Sequence, residues 1–143
     1  VLRKVSERKV NLADADVIVA GGRGLKRKED LAMLKELAEL LGGEVGISRP
    51  LADEGWLPRE YQVGFSGNTV KPKLYIACGI SGSPQHLAGM RDSELIIAIN
   101  IDPSAPIFRV AHYGIVGDLY EVVPEIIREI KARKLSVRKW KKR

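Results

Sequence analysis

The chain has 143 residues, of which 24 are basic and 18 acidic, so its net charge is +6. This length fits one domain, and a composition with 45% hydrophobic and 29% charged residues fits a folded globular body rather than a disordered chain. No apolar run approaches the roughly 18 residues of a membrane span. The single Cys78 excludes an internal disulfide, and its distance in sequence from His86 and His112 argues against a zinc site. We therefore expect a reducing, intracellular setting, either the cytoplasm or, in a eukaryote, the mitochondrial matrix.

The positive charge lies in the two tails. Residues 131–143 contain eight basic residues and no acid, and residues 1–9 contain four basic residues and Glu7. The intervening residues 10–130 hold 12 basic and 17 acidic side chains. A terminal run of this kind is usually a solvated tail, so we expect no nucleic-acid partner, although the whole-chain charge would suggest one.

Predicted strands and helices alternate along the chain. A β-branched run at 17–20 leads into a glycine turn, and the leucine spacing that follows predicts a helix over 28–41, which two glycines end. Four further apolar runs predict strands, and two further patterns predict helices, the first of which begins at a proline. These strands are at 45–47, 74–78, 95–99 and 115–116, and these helices are at 84–90 and 119–132.

Several predicted strands are unbroken apolar runs rather than alternating ones. Unbroken runs are typical of a parallel sheet that is covered on both faces. Together with the alternating helices, they favour a doubly wound α/β domain with a mainly parallel sheet and helices on both faces. The irregular stretch 52–73 is longer than an ordinary connection, so we expect it to be a functional loop.

Glycine or polar residues follow each predicted strand, and ligands of open parallel sheets bind beyond the carboxyl ends of the strands. Residues 79–84 have the chemistry of a phosphate site, because glycines admit a close approach, serines offer hydroxyls, and a helix start offers free N–H groups. An ordinary turn capped by Ser83 remains the alternative. Arg23 is a candidate phosphate partner or a solvated side chain, and Asp118 a candidate for ribose recognition or a helix cap.

Two more side chains are candidates for ligand contact. Arg49 precedes Pro50, which favours an extended conformation that would present a fixed positive charge. His86 lies early in a helix beside the serine turn, although a lone helical histidine more often has no ligand. The chain has no convincing catalytic triad or carboxylate cluster, so it is predicted to hold a nucleotide-like ligand rather than to hydrolyse one.

Long motifs in the same order resemble the C-terminal FAD-binding domain of the electron transfer flavoprotein alpha subunit. The resemblance extends from about Asn11 to Ala132 and includes 19–25, 46–49, 62–67, 74–90, 98–100, 102–103, 105–108 and 113–119. It implies a DHS-like NAD/FAD-binding fold, FAD as the cofactor, no enzymatic activity of its own, and electron transfer from dehydrogenases to a downstream acceptor. The implied partners are a beta subunit in a heterodimer, a donor dehydrogenase and an acceptor oxidoreductase.

The resemblance also implies the roles of individual residues. Arg23 would contact the FAD diphosphate, Arg49 would favour anionic reduced flavin, and His86 would approach a carbonyl oxygen of the pyrimidine part. Ser66 would contact the flavin near N5, whereas Asn100 and Asp118 would hold the adenosine. The full predicted cofactor-binding set is Arg23, Ser48, Arg49, Val63, Gly64, Phe65, Ser66, Gly79, Ser81, Gly82, Ser83, Pro84, Gln85, His86, Asn100 and Asp118.

Two departures from the family pattern accompany this resemblance. Phe65 replaces a glutamine that is frequent in the family, which removes one amide near the flavin. Family alpha subunits are also about twice as long, so we expect the chain to be a fragment, with residues 1–10 as a linker or tail, 11–132 as the FAD-binding domain and 133–143 as a basic tail. The alternative function is a nucleotide-binding structural module without a redox role, similar to the middle domain of thiamine-diphosphate enzymes.

Overall fold

The structure is a computed structural model that describes residues 11–64 and 67–141, without the side chains of 134–141. Its strands are β1 (Val17–Gly21), β2 (Glu44–Ile47), β3 (Leu74–Cys78), β4 (Leu95–Asn100) and β5 (Tyr113–Val116). Its α-helices are α1 (Leu31–Leu40), α2 (Arg49–Asp53), α3 (Pro84–Met90) and α4 (Leu119–Lys141). Short 3-10 turns lie at Leu12–Asp14, Lys28–Asp30, Arg59–Tyr61 and Pro106–Arg109.

The five strands form one parallel sheet in the order β2-β1-β3-β4-β5. The register is continuous from edge to edge, so that Val19 pairs with Val45 on one side and with Ile76 on the other. The chain moves from β1 to β2 in one direction and then crosses back to place β3 on the other side of β1. The switch point of this doubly wound fold, where such sheets bind ligands, is therefore between β1 and β3.

Side chains that alternate along the strands supply two separate cores, one on each face of the sheet. Val19 and Ile76 pack in the core beneath α1 and α4, whereas Ile18 and Tyr75 pack in the core on the opposite face. Because successive strand residues point to opposite faces, an unbroken apolar run is needed to fill both cores. The prediction of a doubly wound α/β domain is confirmed.

Residues 49–53 differ from their sequence interpretation. Arg49 was expected to be extended because it precedes proline, but it is the first residue of α2, and the extended residue is Ser48, with φ −79° and ψ 163°. The prediction for Arg49 is wrong because Pro50 stands in the first helical turn, where its missing N–H costs no intrahelical bond. Burial of Leu51 and Ala52 stabilises the short helix, whose amides bond to the Ser48 carbonyl.

The last helix is longer than expected. It was predicted to end at Ala132, but α4 continues to Lys141. Residues 133–141 contain no glycine or proline, and basic side chains near a helix C-terminus suit the helix dipole, so nothing in the sequence stops the helix at 132. The proposed boundary between a domain at 11–132 and a basic tail stays a prediction.

Candidate functional site

The turns that follow β1 and β3 contact each other backbone to backbone at the switch point. The Gly24 amide donates to the Gly79 carbonyl at 2.9 Å, and the Gly22 amide donates to the Cys78 carbonyl at 3.1 Å. Gly79 has φ +68°, and a Cβ on this residue would lie 2.8 Å from the Gly24 Cα. Glycine is therefore required at Gly79 both for its backbone conformation and for the approach of the two turns.

A first cavity of about 330 Å³ lies beyond the carboxyl ends of β1, β2 and β3. The strand ends bring together residues that are far apart in sequence, including the basic side chains of Arg23 and Arg49. Residues 80–83, in the turn after β3, form another part of the lining. The lining residues are Arg23, Ser48, Arg49, Pro50, Asp53, Val63, Ile80, Ser81, Gly82, Ser83, Gln85 and His86.

A second cavity, of about 420 Å³, continues along the same edge of the sheet toward β4 and β5. Arg23 and Ser81 line both cavities, so the two cavities adjoin at the switch point. The full lining of the second cavity is Arg23, Gly24, Lys26, Gly79, Ser81, Ile99, Asn100, Ile101, Gly117, Asp118, Leu119 and Tyr120. Together the two cavities can receive an elongated ligand whose middle lies against Arg23 and Ser81.

A third, more open cavity lies between α3 and the residues Gly64, Gly67 and Thr69. Gly64, Pro84 and Gln85 line it, and Gln85 also lines the first cavity. Gly64 has φ +109°, and a Cβ there would stand 3.0 Å from the Gln85 carbonyl oxygen. The backbone of Gly64 is thus held tightly against the start of α3.

Two buried side-chain atoms of the first cavity have no hydrogen-bond partner among the described residues. They are the Ser48 hydroxyl oxygen and the His86 Nδ1. Ser48 is 7% exposed and His86 is 5% exposed. A buried polar group without a partner costs about 1–3 kcal/mol, so two such atoms in one cavity point to a ligand with complementary polar groups.

The other ring nitrogen of His86 is bound in the interior. His86 Nε2 lies 2.8 Å from the hydroxyl of Tyr75, which is fully buried in β3. Burial lowers the pKa of His86 from its usual 6.5 to about 4, so the imidazole is neutral near pH 7. The amide of the same residue donates to the Ser83 hydroxyl at 3.3 Å, which confirms Ser83 as the cap of α3.

Charged side chains stand at the rim of the first cavity. The Arg49 Nε lies 3.6 Å from an Asp53 carboxylate oxygen, and the other oxygen lies 2.6 Å from an Arg59 guanidinium nitrogen. The hydrogen bond from Arg59 lowers the pKa of Asp53, so this carboxyl is ionised near pH 7. About half of the Arg49 side chain is exposed, and Arg49 belongs to the lining of the first cavity.

Polar side chains in the second cavity also stabilise the fold. The Asn100 amide nitrogen donates to the Ile80 carbonyl at 3.0 Å, and its oxygen accepts from the Asp102 amide at 2.9 Å. An Asp118 carboxylate oxygen accepts from the Tyr120 amide at 2.9 Å, so the predicted capping role of Asp118 is confirmed.

Sequence reasoning missed Lys26 and Tyr120 in the second cavity. The Tyr120 hydroxyl donates to Asp30 at 2.5 Å and accepts from the Lys26 amide at 2.7 Å. Because these partners are about 90 residues from Tyr120 in sequence, no local pattern could have found them. Sequence reasoning also missed Tyr75. A tyrosine inside an aliphatic strand could have indicated it, because a buried hydroxyl needs a hydrogen-bond partner.

The structure brings the predicted site residues together. Each predicted residue that the structure describes lines at least one of the three cavities: Arg23, Ser48, Arg49, Val63, Gly64, Gly79, Ser81, Gly82, Ser83, Pro84, Gln85, His86, Asn100 and Asp118. The two other predicted residues, Phe65 and Ser66, lie outside the described residues. Their contacts with a ligand stay predictions.

Comparison with known families explains why these cavities occur together. Residues 11–91 match the family model described as the electron transfer flavoprotein FAD-binding domain, and these residues make up more than half of the chain. The chain belongs to this family. The family's cofactor is FAD, and the alternative of a structural nucleotide-binding module without a redox role is not favoured.

Curated relatives extend the match beyond the family model. The electron transfer flavoprotein subunit alpha of Thermoanaerobacterium thermosaccharolyticum is 56% identical over 133 residues, covering 93% of this chain and 40% of the relative. Protein FixB of Clostridium saccharobutylicum is 57% identical over 85% of this chain and 36% of its own length. A mitochondrial subunit alpha from Dictyostelium discoideum is 55% identical over 92% of this chain and 37% of its own length. The chain thus spans about two fifths of the length of these relatives.

The residues of the site fit FAD. Ser48 Oγ and His86 Nδ1, the two buried atoms without a partner, can form hydrogen bonds with polar groups of such a ligand. Arg23 offers a positive charge where the two cavities adjoin, which suits a diphosphate. The adjoining cavities match an elongated dinucleotide. Within the part of the chain that the structure describes, no cluster of metal ligands and no helix able to span a membrane is found.

Proposed function

We propose that this chain is the FAD-binding domain of an electron transfer flavoprotein alpha subunit, and that it forms the C-terminal part of that subunit. The observation that carries the proposal is the pair of adjoining cavities at the switch point, which share Arg23 and Ser81. The first of these cavities also has the two buried atoms without a hydrogen-bond partner, Ser48 Oγ and His86 Nδ1. The names of the most similar relatives support the same function.

FAD, when bound, supplies the redox chemistry, because it accepts and releases one or two electrons. The residues of the chain bind and orient the cofactor. Arg23 and the turn at 79–83 hold the diphosphate, Ser48 and His86 hold the flavin end, and Asn100 and Asp118 line the adenosine end. The Arg49 guanidinium favours added negative charge on the flavin through Coulomb attraction. The protein acts as an electron carrier rather than as an enzyme with a substrate of its own.

The partners that follow from this function are an electron transfer flavoprotein beta subunit, which completes the flavin site in a heterodimer, a donor dehydrogenase and an acceptor oxidoreductase. The single cysteine fits a reducing compartment, which would be the cytoplasm or, in a eukaryote, the mitochondrial matrix. Residues 131–143 have no assigned role, and we propose no nucleic-acid partner for them.

Titration of the purified chain with FAD tests this function. Bound FAD is expected to show perturbed visible flavin bands, and Arg23→Gln is expected to weaken binding by about tenfold or more, because it removes a charged contact with phosphate. Arg128→Gln is the matched control, since Arg128 pairs with Glu125 on α4 and lines neither cavity of the site. Equal affinity of wild type and Arg23→Gln, or no FAD binding at high protein concentration, would contradict the proposal.

A further inference from the structure

Tyr75 is a buried polar residue in an apolar environment. It is fully buried in β3, within the core cluster that contains Ile18, Ala77 and Ile96. A phenylalanine would fill the same space without carrying a hydroxyl into this core. The hydroxyl has one hydrogen-bond partner among the described residues, which is Nε2 of His86 at 2.8 Å. The tyrosine and the histidine therefore have to be considered as one unit.

The direction of this hydrogen bond follows from the need of the phenolic proton of Tyr75 for an acceptor. If Nε2 donated to the tyrosyl oxygen, the phenolic proton would have no acceptor within the described part of the molecule. If the phenol donates to Nε2, its proton is satisfied, and the neutral imidazole carries its own proton on Nδ1. Burial raises the pKa of Tyr75 well above its usual range, which keeps the phenolic proton in place.

This arrangement leaves the proton on Nδ1 of His86, which is buried and has no hydrogen-bond partner among the described residues. The two nitrogens of an imidazole ring point in diverging directions, so Nδ1 is directed away from Tyr75. His86 lines the first cavity, and Nδ1 has no partner among the described residues. A protonated Nδ1 in this position needs an acceptor, and a ligand in the cavity can provide one.

We propose that Tyr75 is a positioning residue that fixes the tautomer of His86, so that Nδ1 carries the proton and is offered to an acceptor atom of the bound cofactor. The proposal rests on the FAD-binding function given above for the identity of that cofactor. The tautomer itself is a property of the cofactor-free chain. Tyr75 would thereby make the site selective for a ligand that presents an acceptor, rather than a donor, to His86.

The other histidine of the chain is an internal control. The Ile96 amide donates to Nδ1 of His112 at 2.9 Å, so the neutral form of His112 must carry its proton on Nε2. The chain has only these two histidines, and they are expected to be opposite tautomers. Two-bond ¹H–¹⁵N correlation spectra separate protonated from unprotonated ring nitrogens, and His112→Gln assigns the two sets of signals.

The experiment is run on the full ¹⁵N-labelled chain at about pH 8, far above the pKa of about 4 of His86. The wild type is expected to show His86 protonated at Nδ1 by at least about tenfold over Nε2, because the other tautomer leaves a buried hydroxyl proton unpaired. Tyr75→Phe is expected to bring the two tautomers of His86 to comparable populations. Tyr113→Phe, at an exposed tyrosine, should leave His86 unchanged.

Three results would overturn the proposal, and they are separable from a failure of the proposed function. His86 protonated mainly at Nε2 in the wild type, or an unchanged tautomer ratio in Tyr75→Phe, would remove the positioning role without any reference to FAD. FAD that binds but leaves the His86 Nδ1 signal unmoved would remove the donor role. If FAD does not bind at all, the function fails while the tautomer assignment is still decided by the wild-type spectrum.

Discussion

Gly79→Ala tests whether the contact between the turns after β1 and β3 shapes the cofactor site. Gly79 has φ +68°, and the added Cβ would stand 2.8 Å from the Gly24 Cα, 3.1 Å from the Gly24 nitrogen and 2.7 Å from a methyl of Leu119. The leucine methyl can move, but the Gly24 backbone is held by its own hydrogen bond to Gly79. The substitution should therefore push the two turns apart.

Gly42 provides the matched control for this substitution. Its φ of +71° is almost the same, but a Cβ on Gly42 would have no heavy atom within 4 Å. The left-handed conformation costs alanine about 1–2 kcal/mol, and the stiffer unfolded chain returns about 0.4–1 kcal/mol, so Gly42→Ala should destabilise the fold by about 1 kcal/mol. Overpacking adds about 1–3 kcal/mol at Gly79, which gives about 2–4 kcal/mol in total.

Urea denaturation measures both free energies of unfolding, and FAD titration measures the effect on the site. Gly79→Ala is expected to weaken FAD binding by about tenfold or more, because moving the turn displaces groups that line the second cavity. Gly42→Ala should bind FAD as the wild type does, since it ends α1 away from the cavities. Equal destabilisation by the two substitutions, or unchanged affinity in Gly79→Ala, would refute the idea that contact between the turns shapes the site.

Two further predictions concern charge and pH. Arg49→Ala should lower the two-electron midpoint potential of bound FAD by on the order of 20 mV, because about 1 kcal/mol of Coulomb stabilisation is lost. Arg49→Lys should retain most of that stabilisation, and a dye-coupled redox titration with no shift in Arg49→Ala would exclude the proposed position of Arg49. The pKa of His86 is about 4 in the folded chain and about 6.5 in the unfolded chain, so the unfolded chain binds one more proton between these two values. The free energy of unfolding should therefore fall as the pH drops from about 6.5 toward 4, by up to about 3 kcal/mol. His86→Gln should remove that part of the pH dependence, and parallel stability curves for the two proteins would contradict it.

The sheet could be predicted because its signal is local. The run at Leu74–Cys78 is apolar at every position, and a strand buried on both faces requires that pattern. The strand order could not be predicted in the same way, because pairing between β1 and β3 depends on contacts between residues more than 50 positions apart. The edge of the sheet that carries the site was nevertheless predictable, since a parallel sheet gathers its strand ends on one side.

The site was predictable at the level of residue types and less so at the level of contacts. Serine and glycine after a strand indicate a phosphate-binding turn, and Ser81 lies where that pattern suggests. The conformation of Arg49 was predicted wrongly, since the preference of residues before proline was overridden by burial of Leu51 and by the position of Pro50 in the first turn of α2. Tyr75 was missed because its partner His86 becomes visible only when α3 packs on the sheet.

The net charge of the whole chain does not describe the charge at the site. The net charge of +6 derives from the tails, whereas the body at 10–130 has more acids than bases. In the proposed function Arg23 contributes to FAD binding, because it lies where both cavities adjoin, as Ser81 does. A shift of either turn would move one of these two shared residues and would thereby change the lining of both cavities together. Position, rather than the total charge, therefore decides the affinity of this acidic body for a dianionic cofactor.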